Sequence, residues 1–482
     1  MSVITAKKIT VANDDVRWVL TTNEKNVARN FNFNHSKPND FYYTTNPAHF
    51  LTIPAEYLDE LAIKVKEVLQ RRVERFATLD FSSCDKHEIL YPYQQYFVQT
   101  AKKCRAILNC DEQGLGKTVQ TIFLLKEKEA KNVLIVSPAA VTQNWVHELE
   151  KYGFGGEYSV LSYELFSKAD IMPGYFDTIV YDEIHYLKNP SSKRAKAAFR
   201  LAHTCSMIGL TGTPMPNYPR ELYSLFYLLD PQFRYMYSEK DFYNRYCDPY
   251  YDGFGWNYNG AGNIEELQAL LSLYMFRRKK CDVLDLPDKT FIETKLDVHD
   301  LKGDLEKEIT LENTPGREAS GQLAKLRQDL AVSKVEFFHE HILKTAEKRK
   351  IILFFHHRVT LEELVLLFSS LNYTNYTAIT GKTTKKNKQK AVHQFMTDPN
   401  TKILLASIRA AGTGLTLTSS HHVMFLEYDW SAGVMSQAVD RVHRISQLNE
   451  VTIEFLVFKN SFDDIQLKTI AKKRNTIERI IQ

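Results

Sequence analysis

The sequence predicts an α/β protein with two parallel-sheet lobes in tandem behind a small N-terminal α+β domain. Three observations lead there. A short apolar segment, CRAILNC (Cys104–Cys110), runs into a glycine loop and then a helix-patterned segment, the strand–loop–helix order of a parallel sheet. A second apolar segment, FDTIVYDEIH (Phe176–His185), closes on a carboxylate pair. The second half of the chain opens its own apolar series at IILFFHH (Ile351–His357). At 482 residues the chain is too long for one core and suits two or three domains.

Residues 1–85 precede the first glycine loop and have the size of a small accessory domain. Within them SKPND (Ser36–Asp40) is a turn signal between aromatic, strand-like segments. Residues Ala55–Phe76 predict a connecting helix with Leu58, Leu61, Val65 and Val68 on one face. The first lobe is expected over 86–284, with an insertion at about 218–275, and the second over 285–482.

Composition narrows the class without naming a partner. The net charge of +4 is too small to argue nucleic-acid binding from the total. The six cysteines (Cys84, Cys104, Cys110, Cys205, Cys247, Cys281) form no C-x-x-C pair, which disfavours a zinc knuckle and fits a reducing compartment. With no apolar run of about 18 residues and no signal-peptide core, the expectation is a soluble, intracellular, cytoplasmic protein with no membrane partner; a nuclear location stays open.

The glycine loop reads DEQGLGKT (Asp111–Thr118). Strand before and helix after are what a phosphate-binding loop requires. Gly114, Leu115 and Gly116 would turn backbone N–H groups toward phosphate oxygens, with the helix dipole behind them. Lys117 would reach the β- and γ-phosphates, and the Thr118 hydroxyl would hold Mg²⁺. The following helix places Val119, Ile122 and Phe123 on one face. At the end of the later strand, Asp182 would hold Mg²⁺ through water and Glu183 would orient or deprotonate the attacking water. A P-loop needs positive charge from elsewhere in the transition state, and QAVDRVHRISQ (Gln437–Gln447) offers it: Gln437, Arg441 and Arg444 fall on one face of an expected helix.

These stretches resemble a known family. DEQGLGKT, DEIH and LTGTPMPN (Leu210–Asn217) are similar to motifs I, II and III of superfamily-two helicases, closest to the Swi/Snf type, in which an acidic residue regularly stands where Asp111 does. YPYQQ (Tyr91–Gln95) resembles the adenine-recognising Q motif, with Gln94 as its glutamine. IILFFHH looks like motif IV, Lys402–Trp430 like motif V and its following strand, and Gln437–Gln447 like motif VI, which makes Arg441 and Arg444 finger candidates. The segment Asp241–Thr290 is similar in phrase order to the annealing-helicase branch, as is LRQDLAVSKVEF (Leu326–Phe337). Glu24–Ile53 faintly resembles that branch's HARP domain, with Phe41, Tyr42 and Tyr43 where a tryptophan is common.

The resemblance implies two RecA-like lobes, ATP and Mg²⁺, and an ATP-dependent translocase on double-stranded DNA that remodels or reanneals forked or branched DNA in repair and replication. A monomer with no evident protein partner is expected. Thr213, Arg409, Thr413 and Trp430 are the candidate DNA contacts, with packing an equal expectation for Trp430 and the favoured one for Trp145. The alternatives are a strand-separating DNA or RNA helicase and a non-hydrolysing, nucleotide-dependent DNA-binding scaffold. The chain departs from the family pattern at Ile184 and Ser446, neither of which supplies chemistry. By itself FRRKK (Phe276–Lys280) reads as a basic linker between lobes, and the basic run Gly381–Phe395 as a solvated helix start.

Overall fold

The computed structural model describes residues 5–11, 15–21, 34–36, 41–44, 89–230, 233, 237–251, 253, 255–284, 286–297, 317–411, 415–444, 447–459 and 461–481. Near the N-terminus β1 (Thr5–Val11), β2 (Asp15–Thr21), β3 (Asn34–Ser36) and β4 (Phe41–Thr44) pair antiparallel in the order β1-β2-β4-β3. The helix expected over Ala55–Phe76 lies outside the described residues, as do Thr413 and Ser446.

The first lobe is a six-stranded parallel sheet. It contains β5 (Ala106–Asn109), β6 (Asn132–Ser137), β7 (Glu157–Ser162), β8 (Thr178–Asp182) and β9 (Ser206–Leu210). A short hairpin of β10 (Tyr250–Tyr251) and β11 (Trp256–Asn257) stands apart, and β12 (Met275–Phe276) returns to the sheet edge, giving the order β12-β5-β9-β8-β6-β7. The second lobe repeats the plan with β13 (Lys289–Leu296), β14 (Ile351–Phe355), β15 (Tyr376–Ile379), β16 (Ile403–Ser407), β17 (His422–Phe425) and β18 (Val451–Phe458), in the order β13-β18-β17-β14-β16-β15, all parallel. These are two RecA-like lobes.

The apolar runs are continuous because both sheet faces are covered. Along β6, Val133 and Ile135 enter one core while Leu134 and Val136 enter the other. Along β14, Ile352 and Phe354 face one cluster and Ile351, Leu353 and Phe355 the opposite one. Loops at the carboxyl ends of such strands form the crevice where ligands bind.

Two long helices frame the second lobe. Arg317–Lys348 carries the fully buried Lys334, whose ammonium pairs at 2.8 Å with Asp463 at the start of the C-terminal helix, Phe462–Ile481. That C-terminal helix then crosses to the first lobe, where Ile477, Ile480 and Ile481 join the core beside Leu267, Leu270 and Leu271 of the helix Ile264–Ser272. Each isoleucine fully buried in this way contributes about 1.5–3 kcal/mol.

FRRKK does lie between the lobes, but it does more than the basic linker its composition suggests. Phe276 ends β12, paired with β5, and the next residues lie against the glycine loop: Arg277 Nη1 donates to the carbonyls of Cys110 (3.3 Å) and Gly212 (3.4 Å). A basic run reads as a linker when its partners, here 65 and 167 positions away, are out of view of local pattern.

Candidate nucleotide site

The loop Asp111–Thr118 leaves β5 and enters the helix Lys117–Glu127. Gly116 caps that helix with φ +77°, a left-handed conformation that favours glycine, and a Cβ there would stand 2.4 Å from Gln94 Nε2. The Leu115 carbonyl is held by three side-chain donors: Gln120 Nε2 (2.9 Å), Gln94 Nε2 (3.1 Å) and the Tyr93 hydroxyl (3.2 Å). Gln94, buried, accepts the Tyr91 N–H through Oε1 at 3.0 Å. Lys117 Nζ donates to the carbonyls of Asp111 (2.6 Å) and Glu112 (3.2 Å), and Thr118 follows in the first helical turn.

Asp111, fully buried, is secured by a guanidinium. Arg278 donates from Nε to Oδ1 (3.0 Å) and from Nη2 to Oδ2 (2.5 Å), a bidentate pair, and its Nη1 bonds the Tyr93 carbonyl. The same guanidinium lies 5.1 Å from the Tyr93 ring centroid. Arg278 thus joins the P-loop to the segment around Gln94. Sequence reasoning missed it, because its partners are 167 and 185 positions away.

The carboxylate pair sits at the end of β8, where the chain turns sharply. Glu183 has φ +53°, an uncommon conformation for a residue with a side chain and a sign of local strain. Asp182 Oδ2 accepts from Trp145 Nε1 at 2.8 Å, so the packing tryptophan also orients a carboxylate. Burial, and then the adjacent Glu183 charge, push the Asp182 carboxyl up from its ordinary range. Burial would raise Glu183 as well, but the His185 hydrogen bond and the charges of His185, Lys117 and Arg441 hold it low. Thr211 donates to Glu183 Oε2 at 3.2 Å, and His185 Nδ1 lies 3.0 Å from the Thr211 hydroxyl. Ile184 is fully buried; a Cβ at Gly209 on β9 would come within 2.7 Å of its Cδ1, so the missing side chain there makes room for the larger residue.

The second lobe brings its residues to this edge, but not on one helical face. The helix Ala432–Val439 stops before Arg441. The amides of Arg441, Val442 and His443 bond back in a tight turn, and the Arg441 carbonyl accepts from Leu417 (2.9 Å) instead of continuing the helical ladder. Only Gln437 is on the helix; its Nε2 donates to Thr213 Oγ1 at 3.2 Å, across the cleft. Arg441 is buried, and burial followed by repulsion from Arg444 pushes its guanidinium down to about 10, still charged at neutral pH. Arg444 donates from Nη1 to Thr416 Oγ1 (2.9 Å) and from Nε to the Asp440 carbonyl (3.1 Å). Ser431 and Gly433 donate to the Pro216 carbonyl at 3.5 and 3.4 Å, closing the two lobes on each other beside LTGTPMPN.

Of the residues singled out for DNA contact, Thr213 faces Gln437 inside the cleft. Arg409 projects outward with 72 % of its side chain exposed, its Nε on Asp429 Oδ2 at 2.9 Å. Trp430 is packed against Phe462 and flanked by Arg327 (5.0 Å) and Lys473 (5.7 Å), and Lys473 also covers Tyr218 of the first lobe. His356 and His357 close over Glu427, which accepts both their backbone amides, so the pair is polar packing. In the basic run, the helix Lys385–Thr397 begins on a Thr384 cap, and Lys388 donates to the Ala410 carbonyl.

Among the described residues, no group of three or more His, Cys, Asp or Glu could hold a metal by protein ligands alone, and no helix is long and apolar enough to cross a membrane. Two parallel-sheet lobes with a glycine loop, a carboxylate pair and facing arginines define a two-lobed P-loop nucleotide-binding fold. The chain belongs to the SNF2 family: the SNF2-related domain matches residues 14–170 and 157–313, and the helicase conserved C-terminal domain matches 333–446. It is 30 % identical to a Drosophila melanogaster SWI/SNF-related matrix-associated actin-dependent regulator of chromatin subfamily A-like protein 1, over 90 % of this chain and 60 % of that protein. It is 30 % identical to the Mus musculus DNA annealing helicase and endonuclease ZRANB3, over 83 % of this chain and 41 % of that protein. The chain therefore spans about half the length of the curated relatives it matches. A solved Sulfolobus solfataricus SWI2/SNF2 ATPase core in complex with dsDNA aligns with 81 % of this chain and 92 % of its own, at 25 % identity and a TM-score of 0.38.

Proposed function

We propose that this chain is a DNA-stimulated ATPase that moves on double-stranded DNA and remodels or reanneals forked or branched substrates. The observation that carries the reading is the meeting of the two halves beside the carboxylate pair: Gln437 Nε2 donates to Thr213 Oγ1 at 3.2 Å, two residues along from Thr211, which donates to Glu183 Oε2. The names of the relatives, a chromatin regulator subfamily and an annealing helicase, support DNA as the track. In this reading 1–85 is an accessory domain, 86–284 and 285–482 are the motor lobes, and the chain works as a monomer inside the cell.

The residues fit the nucleotide. Gly114 and Gly116 both have left-handed backbones that turn the loop into a cradle, and Lys117 is within reach of that cradle's backbone oxygens. Thr118 and Asp182 would hold Mg²⁺, with waters and phosphates completing its shell, and the ion would neutralise charge on the phosphate oxygens. Lys117 would bind the β- and γ-phosphates, and Gln94 would read the adenine edge. Glu183, held ionised, orients the attacking water and takes its proton. Arg441 and Arg444 stabilise charge on the transferred phosphoryl group. Opening and closing of the cleft then steps whatever both lobes grip.

Phosphate release measured against single-stranded, duplex, forked and four-way DNA and RNA tests the reading. Stimulation by duplex or branched DNA is expected, with third-strand displacement from a triplex and no unwinding of a partial duplex. Robust unwinding would favour the strand-separating helicase, and background release with every nucleic acid would favour the scaffold. Lys117→Ala should abolish turnover while sparing DNA binding, and Glu183→Gln should hold ATP bound without turnover.

A further inference from the structure

We propose that Lys280, the last residue of FRRKK, is a positioning residue that ties the turn carrying Arg441 and Arg444 to the P-loop. The proposal rests on the nucleotide-site reading above and adds a residue to it. Lys280 is 2 % exposed. Its ammonium crosses from the first lobe's edge to the second lobe and donates to Asp440 Oδ1 and to the His443 carbonyl, both at 2.8 Å. Those two acceptors bracket Arg441, and Arg444 is the next residue.

The other end is equally fixed. The Lys280 N–H donates to Glu112 Oε2 at 2.8 Å, and the Glu112 N–H donates to the Arg278 carbonyl at 3.1 Å. The segment is thus fastened to the second residue of the glycine loop at two points. All three parts converge on one spot: a Cβ at Gly114 would stand 3.7 Å from Lys280 Cε and 4.0 Å from Arg444 Cγ.

The arrangement suits placement better than stability. A buried ion pair returns little net stability after desolvation, whereas its geometry is strict. The helix Ala432–Val439 has already ended, and residues 440–443 are held by turn bonds, from the amides of Asp440, Arg441, Val442 and His443 back to Ser436, Ala438 and Val439, rather than by a continuing helix. One lysine can satisfy both a carboxylate and a backbone carbonyl because its ammonium carries three donors on a long stem. It therefore sets where the turn sits relative to the phosphate loop.

Two readouts test this. The first is amide hydrogen exchange across residues 440–444 in nucleotide-free full-length protein. Exchange at least tenfold faster in Lys280→Met is expected; unchanged exchange overturns the proposal whether or not the protein hydrolyses ATP. The second is steady-state phosphate release with saturating duplex DNA for wild type, Lys280→Met, Arg444→Ala and the double variant. Lys280→Met should lower kcat at least tenfold with KM for ATP within threefold, and should cost less than twofold more in the Arg444→Ala background. An undiminished kcat, or the same loss in both backgrounds, overturns the proposal. If Lys280→Met does not fold, Lys280→Met with Asp440→Asn leaves no lone buried charge and is judged by the same criteria. Absence of DNA-stimulated release in the wild type would count against the ATPase reading alone, since exchange would still report on the tie.

Discussion

In the first lobe the candidate site is held wholly from within; in the second it is held partly from across the cleft. Asp111, Leu115, Asp182 and Glu183 each sit in hydrogen bonds to Arg278, Gln120, Trp145 and Thr211, all before the second lobe's sheet begins. Arg441 and Arg444 stand on a turn past a helix end, anchored to Leu417, Thr416 and, across the cleft, to Lys280. A loop proposed to bind a triphosphate repeatedly would gain from being prebuilt, because little ordering is left to the moment of binding. Charges needed only in the transition state can arrive with lobe closure and leave with it.

The largest effect is expected from Arg441→Ala. It should lower DNA-stimulated kcat about 10³-fold, roughly 4 kcal/mol of barrier, with ATP affinity little changed. Loss of ATP binding in equilibrium titration would show that the second lobe also builds the ground-state site.

Arg278→Met attacks the first lobe's internal fastening. It leaves the Asp111 carboxylate buried without its bidentate partner, so a loss of about 3–5 kcal/mol in denaturant unfolding is expected. Adding Asp111→Asn should recover part of it. A neutral effect would mean that Asp111 is held by its other contacts.

A smaller effect is expected from Trp145→Phe, which keeps the packing and removes the donor to Asp182. A hydrogen bond to a charged group is worth about 1.5–3 kcal/mol, so roughly ten- to a hundredfold more Mg²⁺ should be needed for half-maximal turnover. An unchanged Mg²⁺ titration would reduce Trp145 to packing alone.

The smallest effect belongs to the second lobe's own interior. Against burial, hydrogen bonds from His341, His422 and Thr294 hold Glu454 below the usual carboxylate range, while the same bond raises His341. The Glu454 contribution is fully present above its unfolded pKa, about 4.3, and is lost as pH falls through the depressed folded value. The His341 contribution is fully present below about 6.5 and is lost as pH rises through its raised value. The melting difference between wild type and Glu454→Gln should be greatest between those limits. A difference flat with pH would remove ionic character from this contact.

Much of the site could be read along the chain because its parts are local. Strand, glycine loop and helix adjoin one another around Lys117, and Asp182–Glu183 are neighbours at one strand end. What local pattern could not show were partners that only the fold brings near: Arg278 for Asp111, Trp145 for Asp182, Lys280 for Asp440. The spacing of Gln437, Arg441 and Arg444 suggested a shared helical face because periodicity carries no mark of where a carbonyl finds a better acceptor role. The helix ends at Val439, and the Arg441 carbonyl accepts from Leu417 instead. The charge run in FRRKK misled for a related reason: composition reports polarity, not whether a distant carboxylate will meet it.

By itself, the sequence determined which stretches become buried parallel strands, since runs such as NVLIVS and IILFF are apolar at every position and need cover on both faces. It also singled out the residues proposed for phosphate chemistry. Only the tertiary structure decided which of them meet, and with what support. Burial and electrostatic partnership depend on distances across the sheet and between the lobes, and those distances are set by packing.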